Sequence, residues 1–410
     1  MKKIIFFALL LLGVQTAKAQ NQDNPTQTTR VITTGVPFLL IAADARAAGM
    51  ADNGVATSSD TYSQQWNPAK YAFALKSQGI GVSYTPYLTD IANDISLAQL
   101  NYYNRINERS AFAGSLRYFG LGDIELRQNP DEVPVVRSPN ELALDLSYAL
   151  KLDEQFSMAV AGRFISSNLR IPESAGGGDS KAATSFAFDV AAFYQSEEEA
   201  YSDFNGRWRV GLNLQNMGPK INYNNDANEE AANFLPANMR LGGGFDFIFD
   251  EYNKIGVNLE FTKLMVPTPP STVDAIDSNG NGEIDQDEQD IADAAYVQAV
   301  DDYNSTGWAA GIFKSFGDAP DGFSEELKEI TYSVGAEYSY QDVFNFRLGY
   351  FNESEMKGAR KFFALGAGFR YTVVRVDLSY LFSASQTRNP LENTLRFSLT
   401  FNFGDDYDEY

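Results

Sequence analysis

Leu395-Arg396-Phe397-Ser398-Leu399-Thr400-Phe401-Asn402-Phe403 places an apolar side chain at every odd position and a polar one at every even position, with Thr394 extending the polar phase. Successive side chains of an extended chain point to opposite faces, so this stretch reads as a strand with one greasy face and one wet one. The same split recurs upstream. Leu142, Leu144, Leu146, Tyr148 and Leu150 alternate with Asp145, Ser147 and Lys151, and Ile255, Val257, Leu259 and Phe261 alternate with Lys254, Asn258 and Glu260. Val374, Val376, Leu378, Tyr380 and Phe382 stand against Arg375, Asp377 and Ser379. A soluble β-sandwich also alternates. Here, however, the non-apolar faces carry Arg, Asp, Glu and Gly as a wet or plugged lumen would, which favours a membrane barrel. Aromatics also gather near strand ends, at Tyr84 and Tyr87, Tyr102 and Tyr103, Tyr338 and Tyr340, and Phe401 and Phe403, as interfacial girdles would.

Fifteen such segments can be marked between residues 78 and 403, an odd number, whereas single-chain bacterial barrels have even counts with short inner turns and long outer loops. Short links fall at Asn107-Glu108, Asp153-Glu154, Asp250 to Tyr252, Gln341-Asp342 and Val373, and long ones at 121–138, 169–183, 218–237 and 265–305. The alternation of short and long persists to the C-terminus only if 306–316 joins the preceding loop. The expected fold is therefore all-β: a fourteen-stranded antiparallel transmembrane barrel over 78–403, whose longest outer loop spans 265–327. Residues 404–410 then form an acidic tail.

The N-terminus sets the compartment. Lys2 and Lys3 precede an apolar run from Ile4 to Leu12, and Ala17-Lys18-Ala19 offers small residues at a cleavage site, so 1–19 reads as a signal peptide. Its apolar run is about half of the ~20 residues a spanning helix needs, and no later stretch reaches that length. Cleavage would remove three of the 32 basic residues and leave 54 acidic ones, a net charge of about −25 that argues against nucleic-acid partners. The absence of cysteine excludes a disulfide framework. Entry into a membrane must then be as a closed barrel, because hydrocarbon cannot satisfy an open sheet edge. Residues 20–77 lack alternation and contain Ala42-Ala43-Asp44-Ala45-Arg46-Ala47-Ala48-Gly49-Met50. They read as short helices and turns, and their apolar content favours a plug in the lumen over a tail in water.

Asp44-Ala45-Arg46-Ala47-Ala48-Gly49-Met50-Ala51-Asp52-Asn53-Gly54-Val55-Ala56, followed by Trp66-Asn67-Pro68-Ala69, resembles the hatch signature of the long-chain fatty-acid-channel (FadL-like) family. In that family the segment plugs a fourteen-stranded barrel. Lys314-Ser315-Phe316-Gly317-Asp318-Ala319-Pro320-Asp321-Gly322-Phe323 is similar to the shuttle component of the type IX secretion system, a branch of that family. So are Glu325-Glu326-Leu327-Lys328-Glu329-Ile330 and Asn389-Pro390-Leu391-Glu392-Asn393-Thr394-Leu395-Arg396-Phe397. The resemblance implies a non-enzymatic outer-membrane protein of a Gram-negative bacterium of the Bacteroidota, embedded in membrane lipid. Its implied partners are secreted cargo carrying a type IX C-terminal signal domain, a large translocon barrel (SprA- or Sov-like), and an attachment complex with a sortase-like peptidase (PorU-like). One departure is that the chain continues beyond Phe403 as Gly404-Asp405-Asp406-Tyr407-Asp408-Glu409-Tyr410, where barrel-assembly signals usually end on an aromatic residue.

Asp277-Ser278-Asn279-Gly280-Asn281-Gly282-Glu283-Ile284-Asp285-Gln286-Asp287-Glu288 matches the twelve-residue calcium loop. Oxygen side chains stand at positions 1, 3, 5 and 9, Gly at 6 and Glu at 12. A hard cation takes six or more oxygens, so Asp277, Asn279, Asn281, Asp285 and Glu288 are the expected side-chain ligands to calcium and Glu283 the carbonyl donor. The bland reading is an acidic loop that keeps the outer face soluble. With neither His nor Cys, the commonest base and the commonest thiolate are missing, and no catalytic residues are expected. Glu197-Glu198-Glu199, Glu229-Glu230 and Asp301-Asp302 read as solvated charge, and Gly176-Gly177-Gly178 as flexible chain. Lumen Arg163, Arg240, Arg347 and Arg370 could pair with Asp145, Asp246 or Glu337, anchoring the plug. Three roles stay open: cargo binding and handover by the outer loops, FadL-like passage of hydrophobic molecules, or a purely structural part in a translocon.

Overall fold

The computed structural model describes residues 30–407 except 89–91, 93, 128–130, 132, 170–181, 224–231, 271–274, 385–391 and 393. The expected signal peptide, Gly176 to Gly178, Glu229-Glu230 and the last three residues of the tail lie outside the described residues.

Fourteen strands form one closed antiparallel sheet: β1 Lys76–Pro86, β2 Ile95–Arg105, β3 Ser110–Leu121, β4 Asn140–Lys151, β5 Phe156–Asn168, β6 Ala183–Gln195 and β7 Asn205–Met217. They continue as β8 Asn238–Ile248, β9 Asn253–Leu264, β10 Thr331–Tyr340, β11 Phe344–Asn352, β12 Lys361–Tyr371, β13 Val374–Ser383 and β14 Leu395–Asp406. Each pairs with its sequence neighbours, and β14 closes on β1 with Gly81 opposite Thr400 and Ser83 opposite Ser398. Closure removes the edge that lipid would not tolerate. No described helix is long and apolar enough to cross a membrane.

The wall is inverted relative to a soluble protein. Leu146 is 65% exposed while its neighbour Asp145 is 0% exposed, and the same holds for Leu116 against Arg117 and Leu348 against Arg347. An apolar exterior over a polar buried interior is the arrangement that lipid selects. The girdle reading needs correcting at two places. Tyr84 and Tyr340 point outward, but Tyr103 is buried and stacks on Tyr71 of the hatch, and Tyr87 packs edge-on against Phe119 inside.

Links at 106–109, 152–155, 196–204, 249–252, 341–343 and 372–373 are short and mark the inner rim. Those at 122–139, 169–182, 218–237 and 265–330 are long and mark the outer one. The expected assignment of 306–316 to the long outer loop agrees with a helix, rather than a strand, at Trp308–Lys314. The inner link at 196–204 is lengthened by Glu199–Ala200, which pairs with Asn205 and Gly206 and sets Tyr201 and Phe204 against Phe245. β14 runs three residues past Phe403, so part of the expected tail is strand: Asp406 lies opposite Lys76, and the Tyr407 amide donates to the Leu75 carbonyl.

The hatch consists of a 3-10 turn at Pro37–Leu40, a one-turn helix α1 at Ala45–Ala48, a second, α2, at Ser63–Trp66, and a 3-10 run at Pro68–Phe73. Asp44 caps α1 by accepting the Ala47 amide, and Asn67 caps the 3-10 run by accepting the Ala69 amide. Wall glycines admit the plug: a Cβ on Gly211 would sit 2.1 Å from the Val55 carbonyl oxygen, and one on Gly349 would sit 2.2 Å from the Met50 backbone.

Candidate functional site: the plugged lumen and its outer cap

The chain enters its own barrel from outside. Arg30 sits among the outer loops, its amide donating to the Met356 carbonyl (2.8 Å) and its guanidinium reaching Glu325 (2.6 Å) and Asp321 (3.3 Å). From there the backbone descends past Phe234 and Phe119, crosses the lumen, and lines the inner vestibule with Ser58 to Tyr62 before Lys76 opens β1.

Inside, the plug is held by charge. Arg46 donates to Glu337 of β10 at 2.9 and 3.2 Å, to Asp60 at 2.7 Å, and to the Ser58 carbonyl and hydroxyl at 3.0 and 2.7 Å. Arg347 meets Glu337 at 2.6 Å and Asp377 at 2.8 Å. Glu260 of β9 receives the Gly54 and Val55 amides (2.8 and 2.9 Å) with one oxygen and Arg240 (2.8 Å) with the other. Arg240 also lies over the Trp66 ring, and the Trp66 indole donates to Asp44 at 2.7 Å. Burial, followed by the neighbouring Asp60 charge, pushes the Asp44 carboxyl up to about 6. Burial likewise draws Lys70, whose ammonium donates to the Gly54 carbonyl, down to about 8.

Of the expected lumen pairs, Arg163 with Asp145 (2.5 Å) and Arg347 with Glu337 are present. Arg240 instead takes Glu260, Asp246 takes Arg209, and Arg370 faces the open inner vestibule. Arg209 and Asp189, which bonds Arg163 at 3.1 Å, were not singled out by sequence, and Glu260 stood out only as part of an alternating strand's polar face. Their only signal is their position on the polar face of an alternating strand.

The outer cap is the second centre. Lys263 bonds Glu326 (3.0 Å) and Glu329 (2.5 Å), and Lys357 bonds Glu325 (2.7 Å) and Glu329 (2.8 Å). The Thr268 amide donates to Asp318 (3.0 Å), and its hydroxyl to Glu329 (3.0 Å). This network, with Arg30 bonded to Glu325, ties the strap at residues 30–34, the end of β9, the short helix Phe323–Glu326 and the 353–360 loop into one body. Above it, Phe313 and Phe323 are 80% and 76% exposed, and Phe316 and Leu327 are about half exposed. Exposed aromatics over an anchored base resemble the centre of a protein interface.

The expected calcium loop folds with Gly280 and Gly282 at positive φ. Asp277 accepts the Gly280, Asn281 and Gly282 amides, and Asn281 accepts the Glu283 amide. Asn279 accepts the Asn281 amide and its own amide group donates to Asp285. Glu288 turns back as a cap: it accepts the Ser278, Asn279 and Asp285 amides at the start of helix α3, Gln286–Ser305, while Asp285 accepts its amide in return. Among the described residues no three Asp, Glu, His or Cys side chains gather closely enough to hold a metal ion. The carboxylates share one loop but are spent on amides.

The family described as Type IX secretion system protein PorV matches residues 24–271. No curated protein matches the chain. Among solved structures, a FadL homologue of Pseudomonas aeruginosa is 14% identical, covers 92% of this chain and 100% of its own, and has a TM-score of 0.44. The toluene transporter TbuX of Ralstonia pickettii is 13% identical over 90% of this chain and 100% of its own, with a TM-score of 0.46. TodX of Pseudomonas putida, a toluene transporter, is 12% identical over 91% of this chain and 98% of its own, with a TM-score of 0.44.

Proposed function

The chain belongs to the PorV family of type IX secretion proteins, as an outer-membrane barrel of a Gram-negative bacterium, and from that premise we propose that its outer cap binds exported cargo. In this reading the barrel is a holder with no enzymatic step. It grips the C-terminal signal domain of the cargo outside the membrane, accepts it from a large translocon barrel, and presents it to a surface attachment complex.

The observation that carries the reading is the pairing of rigidity with exposure at 313–330. Buried ion pairs fix Glu325, Glu326 and Glu329 in place while Phe313, Phe316 and Phe323 stay exposed. Exposed aromatics on a fixed base lose little conformational freedom on binding, which is where affinity is gained. The test is affinity capture of the tagged barrel from detergent-solubilised outer membranes, read by mass spectrometry. Secreted proteins sharing a C-terminal domain should co-purify with a very large barrel, and the double change Phe313→Ala, Phe323→Ala should cut cargo recovery at least tenfold without loss of the translocon. The barrel recovered alone with lipid would move the assignment to a transporter of hydrophobic molecules. That second reading draws support from a mainly apolar cavity of about 500 Å³ near the outer mouth.

We further propose that the 277–288 loop takes calcium, as a structural ion that orders the outer loop. Its ligands would be Asp277, Asn279, Asn281, Asp285, Glu288 and the Glu283 carbonyl. Binding requires Glu288 to turn from the amides it now accepts.

A further inference from the structure

The strap at the outer mouth reads Val31-Ile32-Thr33-Thr34, four β-branched residues in succession, the type that favours an extended, paired backbone. It lies outside helix and sheet, and none of the four has positive φ. The Arg30 amide goes to Met356 and the Gly35 amide to Phe234, but no backbone hydrogen bond among the described residues involves Val31, Ile32, Thr33 or Thr34. Beside this strap lies the cavity of about 500 Å³, whose apolar wall is made by Val31, Ile32, Pro37, Leu40, Leu264 and Phe351.

We propose that this cavity receives an extended peptide segment of a protein partner, which pairs with residues 31–34 as an added strand and sets alternate side chains against the apolar wall. The inference rests on the cargo reading above and names the element that would make the grip. Four strap residues span ~13 Å at strand rise, room for about four residues of peptide. Main-chain pairing of this kind gives affinity, and the pockets for alternate side chains give selectivity.

The walls argue against other occupants. A small anion finds no uncommitted cation, since Arg360 is bonded twice to Glu353 at 2.8 Å, Lys357 to Glu325 and Glu329, and Arg240 to Glu260. An alkyl chain would match the apolar wall but would cover the strap's amides and carbonyls without bonding them, which leaves each covered group short of the hydrogen bond that water gave it. The chain's own residues 20–29 are polar apart from Pro25 and so cannot set alternate apolar side chains against the wall. A peptide supplies both the backbone groups and the apolar ones.

The experiment measures binding of a type IX cargo signal domain to the full-length barrel in detergent, for wild type, Thr33→Val, and Ile32→Pro, Thr33→Pro and Thr34→Pro made singly. Proline deletes one N–H, and in a strand successive N–H groups point to opposite sides. Affinity should therefore fall about tenfold with period two, either at Thr33 alone or at Ile32 and Thr34 together, with Thr33→Val within about twofold of wild type. The chain has no native cysteine, so Thr33→Cys carries a unique cross-linker, which should capture one contiguous segment of the cargo. Wild-type affinity in all three proline variants overturns the inference and leaves the cargo reading standing. Equal loss in all three also overturns it, as damage to the cap. A cross-link to residues 20–29, or a co-purified alkyl chain with no peptide cross-link, assigns the cavity elsewhere. A wild-type barrel that binds no signal domain removes both readings.

Discussion

The lumen and the outer loop handle acidic charge in opposite ways. Inside, Asp145, Asp189, Asp246, Glu260, Glu337 and Asp377 each lie within 3.1 Å of a guanidinium. Outside, ten acidic residues and no basic one stand between Lys263 and Lys314, and α3 lacks a basic residue in its last turn, where Asp301 and Asp302 oppose the helix dipole. The cause is solvent. A carboxylate taken from water must be paired or it costs several kcal/mol, whereas exposed like charges repel weakly through a Debye length of about 8 Å. Charge in the lumen is thus structural glue, whereas charge on the outer loop has backbone amides and solvent for company and no basic residue in its own segment.

Breaking the glue should have the largest effect. Arg46→Ala leaves Glu337 and Asp60 short of their shared partner inside the plug, which should loosen the hatch by about 3 kcal/mol, or roughly a hundredfold in its local opening. Limited proteolysis of the solubilised barrel should then cut between residues 44 and 66, while the wall keeps its heat-modifiable migration on gels. A hatch as resistant as wild type would mean that packing of Trp66 and Tyr71, rather than charge, holds the plug.

Titration should have a smaller effect on the same region. The folded-state value for Asp44 of about 6 lies above the ~3.9 of an unfolded chain, so the folded hatch holds that proton more tightly. The stability contributed by this group is full below about pH 4 and is lost as the pH rises through about 6, at most about 3 kcal/mol in all and spread over that whole window. Asp44→Asn keeps an acceptor for the Trp66 indole and cannot ionise. Hydrogen exchange of residues 44–66, corrected for intrinsic rates, should show wild-type protection falling across that window and a flat profile in the variant. Parallel profiles would place the pH response at another group.

Much of this was readable because a lipid-facing wall imposes a strict period of two, and the alternation of short and long links fixed fourteen strands. Strand ends were less legible. β14 reaches Asp406 because Lys76 faces it from the far end of the chain, a pairing that no local pattern signals. Ion partners divide in the same way. Asp145 with Arg163 and Glu337 with Arg347 are direct cross-strand neighbours, so a correct strand assignment is enough to suggest them. Arg240 lies opposite Thr262 and reaches Glu260 on the diagonal, and Arg209 lies opposite Gly244 and reaches Asp246 the same way, so those partners depend on register and on where the hatch sits. The cap was visible only as the resemblance at 314–330, since its Arg30–Glu325 bond joins residues 295 positions apart.

Calcium offers the finest test of whether the outer charge has a use. The Gly282 amide, foremost among its neighbours, holds Asp277 below the usual carboxylate range. Burial draws Glu288 upward, but the Ser278 and Asp285 amides outweigh it and hold that group low as well. Both carboxylates therefore stay ionised in mildly acidic buffer, and a divalent ion would relieve the repulsion between them. At a tenfold excess over its dissociation constant an ion that binds only the ordered loop stabilises it by about 1.4 kcal/mol, which should slow proteolysis of 265–305 roughly tenfold. The wall should melt as before, because the hydrogen bonds of Asp277 and Glu288 stay within the loop and the first turn of α3. Magnesium should act weakly, since it keeps its waters and wants a tighter octahedron. The double variant Asp277→Asn, Glu288→Gln should lose the response. If calcium leaves cleavage unchanged, or protects the variant equally, the loop is solvated charge only, and the contrast between lumen and loop reduces to what water tolerates.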